Sequence, residues 1–210
     1  MSGFTMKNNK VLILFAHPAQ SRSEVNLPLF RASQRIKGVT CVDLYAEYPR
    51  FRIDIKREQQ RLLDHDVVIF MFPLFWYSTP SILKEWQDLV LEYGFAYGSE
   101  GNALHGKTLM CAISAGGAQE AYQRGGINHY HIDELLTPIE RTAALIGMNY
   151  LPPYVLFHAR TAADEQRLTP HIEQWQSIVS TLQSNELDCN ALKALPMFQE
   201  LQNIAKGVTQ

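Results

Sequence analysis

Cysteine is scarce in this chain, and Cys41, Cys111 and Cys189 are odd in number and far apart. Neither a disulfide framework nor a metal knuckle is expected, and a reducing compartment fits. Basic runs are missing too. With a net charge of -2 and a sequence pI near 6.4, nothing marks a surface for nucleic acid or an anionic membrane. No stretch approaches the roughly 18 apolar residues of a membrane span, and Met1 to Asn9 lacks the apolar core of a signal peptide. The expectation is a cytoplasmic protein that works at a membrane only through a partner. Internal repeats and low-complexity tracts are absent, as are G-x-G-x-x-G and G-x-x-x-x-G-K-[ST]. Neither a dinucleotide fingerprint nor a P-loop can therefore be claimed.

What is present is a regular supply of apolar residues. A chain of 210 residues with 46% hydrophobic content can build one well-buried domain, whereas two full cores would be a squeeze. The domain is read as residues 1–184, and residues 185–210 as a polar tail with one short helix around Met197 to Ile204. Short apolar runs predict strands over Val11 to Ala16, Val39 to Leu44, Val67 to Phe72, Lys107 to Ser114 and Tyr150 to Phe157, the last interrupted by Pro152-Pro153. Helical spacing follows the first strand (Leu29, Phe30, Ile36) and recurs over 55–64, 80–93, 134–146 and 161–182. Gly147 sits where a left-handed C-terminal cap belongs. Strands alternating with helices predict an α/β fold: a five-stranded parallel sheet of order 2-1-3-4-5 with helices on both faces.

In such a sheet, ligands sit beyond the carboxyl ends of the strands. Three loops meet there. His17 to Asn26 offers Ser21, Ser23, Asn26 and free amides at a helix start, a cradle for phosphate; taken alone, this loop reads first as an ordinary N-cap. Leu74 to Ser78 carries Phe75, Trp76 and Tyr77, which suit a flat ring or, alternatively, cover by a helix or partner subunit. After it, Thr79-Pro80 predicts a hydroxyl cap with proline in the first helical position. Ser114 to Gly117 ends a strand in two glycines that permit close backbone approach, although a plain tight turn would look the same.

The segment FPLFWYSTPSILKEWQDLVLEYGFAYG and the AHP...S..N pattern of Ala16 to Asn26 resemble the flavodoxin-like NAD(P)H:quinone oxidoreductases. Asp43-Leu44-Tyr45, Tyr48-Pro49, Ile53-Asp54-Ile55, Ala103 to Lys107 and Leu151-Pro152-Pro153 resemble the bacterial branch that includes ancillary flavoproteins of glutathione-gated potassium-efflux systems. The similarity runs from about Val11 to Trp175. It implies a flavin, FMN before FAD, with the phosphate on Ser23, Glu24, Val25 and Asn26 and with His17 nearby. The ring edge would lie on Leu74, Phe75, Trp76 and Tyr77 and on Ser114, Ala115, Gly116 and Gly117. The implied chemistry is ping-pong hydride transfer from NADPH or NADH to the flavin and then to a quinone, in a homodimer whose partner covers the ring. Tyr122 matches the family tyrosine beside the flavin's pyrimidine side. Asn128 stands where the animal enzymes have a histidine, with His129 one step on, so either His129 takes its place in the proton relay or the relay is absent and Tyr122 works with solvent. The alternative is a regulatory subunit of a potassium-efflux antiporter with catalysis incidental or lost.

Overall fold

Runs of β-branched and aromatic residues have no polar face to present to water, so they become the middle of a sheet. In the computed structural model, which describes residues 8–184, β1 (Val11–Phe15), β2 (Val39–Asp43), β3 (Val67–Pro73) and β4 (Thr108–Ser114) are parallel. Every residue of β1 and β3 is buried, as befits strands covered on both faces. The order is the expected one, β2-β1-β3-β4, and the fifth place goes to β5 (Asn149–Tyr150) and β6 (Tyr154–Leu156), both parallel to β4. The single last strand expected over Tyr150 to Phe157 is therefore two, because Pro152 and Pro153 have no N–H for the ladder.

Alternate strand residues face opposite ways, and two apolar cores result. Leu12, Leu14, Val68, Phe70 and Leu109 pack with α3 (Ile55–Asp64), α4 (Ser81–Val90) and α5 (Ile132–Leu145) through Leu62, Trp86 and Leu136. On the other face Val11, Ile13, Ile69 and Met110 pack with α1 (Asn26–Ser33) and α6 (Leu168–Ser184) through Phe30 and Trp175. A four-residue helix, α2 (Leu44–Glu47), follows β2. The buried Glu58 carboxylate accepts from Tyr48 Oη at 2.6 Å and Trp86 Nε1 at 2.9 Å, and from Arg61. No helix among the described residues is long and apolar enough to cross a membrane.

Several local expectations change. Pro80, not Thr79, holds the N-cap position of α4, and no side chain caps it. Tyr93 lies beyond α4, 68% exposed, with its ring against Tyr97, so the apolar stripe stops at Val90. The last helix starts at Leu168, after a 3-10 turn and irregular chain. Two polar residues of the helical layers, His65 and His171, are both buried: His65 lies between Arg61 O and Thr40 Oγ1, and His171 stacks on Tyr154 at 4.2 Å. Pro28 falls in the first turn of α1, where its missing N–H costs nothing. Gly147 takes φ +71 at the end of α5, as its place requires. The expected helix at 197–204 lies outside the described residues, as does the whole tail.

Candidate functional site

The chain turns sharply where β1 ends, and His17 is only 4% exposed there. Its Nδ1 accepts the N–H of Ala19 at 3.2 Å, and its ring meets Phe75 edge-on at 5.7 Å. Burial lowers the pKa of His17 and the Asp43 carboxylate opposes this. With Nδ1 as acceptor, a neutral ring carries its proton on Nε2. After a 3-10 turn at Gln20–Arg22, Ser23 is buried and its Oγ accepts the N–H of Leu27 at 2.9 Å. The N-cap position itself falls to Val25, which has no side-chain cap, so this hydroxyl serves the helix from two residues earlier. The amides of Glu24, Val25 and Asn26 have no acceptor among the described residues, and they head the aligned peptides of α1.

Asn26 joins this turn to the sheet. It is 2% exposed, and its Oδ1 accepts the Ser114 hydroxyl at the end of β4. Its Nδ2 is buried without a hydrogen-bond partner. Buried donors are nearly always paired, so this one calls for an acceptor that the fold itself does not supply.

The aromatic loop leaves β3 beside it. Leu74 is buried and its N–H donates to Ser114 O at 2.9 Å, while Phe75 and Ser78 close a tight loop by a 3.1 Å bond. At the tip, Trp76 and Tyr77 have φ of +50 and +63. For residues with a Cβ this conformation costs on the order of 1–3 kcal/mol each. Trp76 is 92% exposed, Phe75 and Tyr77 about half.

Ala115 to Gly117 form a floor after β4. A Cβ added at Gly116 would meet nothing within 4 Å, whereas at Gly117 it would lie 3.2 Å from Tyr122 Cε2. The floor is braced from outside: Ala115 N–H donates to Leu156 O, His158 N–H to Gly117 O and Ala159 N–H to Ala115 O, all at 2.9–3.0 Å. Tyr122 is 9% exposed beside it. Burial raises its pKa; the Gly117 N–H opposes and Tyr77 adds to the rise, so the phenol stays protonated. Its ring lies 5.6 Å from Phe157.

Ser23, Asn26, Ser114 and the floor are thus brought together, with His17 and the aromatic loop beside them. His129 is not. It takes φ +60 on the exposed surface, and no described residue bonds its ring. Asn128 comes to the site instead, its Oδ1 accepting Tyr77 Oη at 3.1 Å. The sequence held no signal for this contact, which joins residues 51 positions apart.

The donor set fits a phosphate ester joined to a flat ring. Three unpaired amides and Asn26 Nδ2 offer hydrogens without formal charge, as helix N-termini do for phosphate, and Gly116 leaves open space where a side chain would stand. FMN has this shape. A family described as having a flavodoxin-like fold matches residues 9–179. General stress protein 14 of Bacillus subtilis is 50% identical over 79% of this chain and 98% of its own length. A glutathione-regulated potassium-efflux system ancillary protein of Serratia proteamaculans is 47% identical over 74% of this chain and 85% of its own. Among solved structures, general stress protein 14 of Treponema denticola in complex with FMN superimposes with a TM-score of 0.79 at 35% identity, covering 83% of this chain and 99% of that one. A protein of P. pentosaceus described as an NADPH-quinone reductase gives 0.72 at 32% identity over 80% and 96%. Sheet order, site position and a match running almost from end to end of the described residues agree, and the chain belongs to the flavodoxin-like fold family.

Proposed function

We propose that this chain is an FMN-dependent NAD(P)H:quinone oxidoreductase, working in ping-pong order and as a homodimer. The carrying observation is the buried, unpaired Nδ2 of Asn26 at the head of α1. A phosphate oxygen would satisfy it, and the adjacent amides would hold the rest of the group. When bound, the flavin supplies the hydride acceptor and two-electron donor that no side chain offers. The protein's part is placement. The loop 74–78 and the floor 115–117 would bound the ring, and the exposed aromatic tip would limit entry to flat substrates. Tyr122 keeps its hydroxyl proton through burial and provides a fixed donor where negative charge would grow, an arrangement that can be worth 100-fold or more in rate. Asn128 cannot take up a proton, so no relay passes through that position.

Support comes from the FMN complex of the Treponema denticola relative and from the P. pentosaceus reductase. The test is an absorption spectrum of the purified protein, followed by flavin identification and initial rates with NADPH or NADH and a small benzoquinone. A yellow protein releasing FMN, with parallel double-reciprocal lines, is expected; released FAD would replace the flavin assigned, and intersecting lines would overturn the order. Tyr122→Phe should slow flavin reduction by about 100-fold or more, the loss of one fixed donor, while FMN stays bound.

The likeness to the Serratia proteamaculans ancillary protein favours a second reading, a regulatory subunit held at the inner face of a membrane by a potassium-efflux antiporter. A colourless protein that refuses FMN yet co-purifies with such an antiporter would leave that role alone.

A further inference from the structure

We propose that Tyr77 and Asn128 form an uncharged latch across the mouth of the site, and that the Asn128 amide nitrogen so held donates to a carbonyl of the electron acceptor. The latch stands on geometry; the donor assignment rests on the oxidoreductase reading above. The tip of the aromatic loop has little to hold it in place. Both tip residues are in left-handed backbone, Trp76 is 92% exposed, and one backbone bond closes the turn. Across from it, Asn128 is firmly placed. Its N–H donates to Ala121 O at 3.0 Å, and the chain at Gly126 runs so close to Glu120 that a Cβ there would sit 2.4 Å from that carbonyl. The 3.1 Å bond from Tyr77 Oη to Asn128 Oδ1 therefore ties a loosely supported loop to a rigid one.

That bond also fixes which end of the amide is left over. A primary amide has one acceptor oxygen and two N–H donors. With Oδ1 taken by Tyr77, Nδ2 keeps its protons, and no described residue accepts them. Tyr77 and Asn128 are both partly exposed, so a ligand can reach the pair. A neutral donor that neither gains nor loses a proton suits a neutral planar carbonyl compound such as a quinone.

The chain has three tryptophans, and since Trp86 and Trp175 are 1% and 0% exposed against 92% for Trp76, acrylamide-selective fluorescence anisotropy reports the loop tip alone. In the full chain without flavin, Tyr77→Phe and Asn128→Ala should enlarge the fast local motion of Trp76 equally, and the double variant should add nothing. Asn128→Asp should leave it unchanged, because a carboxylate oxygen still accepts from Tyr77. With FMN and NADPH, however, Asn128→Asp and Asn128→Ala should raise KM for a small benzoquinone by about 3- to 10-fold, the worth of one neutral hydrogen bond, with kcat and FMN affinity within twofold. Unchanged Trp76 motion in Tyr77→Phe, or additive effects in the double variant, would overturn the latch. An unchanged KM in Asn128→Asp would overturn the donor. If the wild-type chain took no FMN or oxidised no NADPH, the oxidoreductase reading and the donor would fall together, and the anisotropy would still decide the latch.

Discussion

Asn26 should be a residue that the protein holds for a ligand at the expense of its own stability. Consider Asn26→Leu combined with Ser114→Ala, which removes the unpaired Nδ2 and also the hydroxyl that would otherwise lose its partner. A buried, unsatisfied donor costs about 1–3 kcal/mol, and replacing both members of a buried pair by apolar groups of similar shape is nearly neutral or stabilising. Leucine keeps the fork of asparagine at Cγ, with two methyls in place of the amide oxygen and nitrogen. Without flavin, the double variant should therefore unfold in urea with a free energy equal to the wild type's or up to about 2 kcal/mol higher. FMN binding should move the other way. A hydrogen bond to a charged group is worth about 1.5–3 kcal/mol, and at 1.4 kcal/mol per factor of ten the dissociation constant should rise by about 10- to 150-fold. Quenching of FMN fluorescence measures it directly. If the variant lost more than about 2 kcal/mol of stability while FMN affinity stayed within twofold, Asn26 would be a structural residue and the cradle would be misassigned.

Three further outcomes follow from the geometry. Ser23→Ala removes the oxygen that accepts the Leu27 N–H, so about 1 kcal/mol of stability should be lost in thermal or urea unfolding, and FMN should bind more weakly as α1 frays at the cradle; undiminished stability would show the cap to be idle. Gly147→Ala should cost about 1–2 kcal/mol for its left-handed backbone alone, and the new Cβ would also meet the His105 ring, 2.2 Å away; adding His105→Ala should recover only the steric part. Burial, with Arg167 adding to it, lowers the pKa of His171 to about 3. The unfolded chain, with its histidines near 6.5, binds the extra proton first, so this residue lowers stability as pH falls from about 6.5 towards 3, with a slope of up to about 1.4 kcal/mol per pH unit. His17, lowered in the same direction by burial, acts with the same sign. His171→Phe, which can still stack on Tyr154, should flatten urea-unfolding stability between pH 6.5 and 5, and an unchanged slope would refute the assignment.

The sheet was legible because its central strands are apolar on both sides: the runs at Val11, Val67 and Thr108 leave no other place for themselves than between two helical layers. The meeting of the three loops was legible for the same reason, since strand order alone brings His17 to Asn26, Leu74 to Ser78 and Ser114 to Gly117 to one rim. Contacts that depend on tertiary packing were not. Nothing in the residues around His171 announces that it stacks under Tyr154, and a polar residue on a helix reads as surface until the opposing element is known. The Thr79-Pro80 pair carries the composition of a cap but sits one residue too early for it. The choice between Asn128 and His129 turns on a φ of +60 at His129, a backbone detail that periodicity cannot register. Both prolines before Tyr154 were visible, yet only the pairing with β4 shows that they divide the strand rather than displace it.

The outer strand β6 has a consequence beyond completing the sheet. With the chain that follows it, it works as a splint: Leu156 of the strand and His158 and Ala159 beyond it fasten the turn 115–117 from behind before anything arrives in front. A turn already stiffened surrenders little freedom when a ring settles on it, so less of the contact energy is consumed in ordering the chain. Being only three residues long, and following two prolines that cannot donate, β6 also makes a poor template for another strand. On that flank, copies of this chain are steered away from zipping sheet to sheet, and any lasting embrace must use side chains instead.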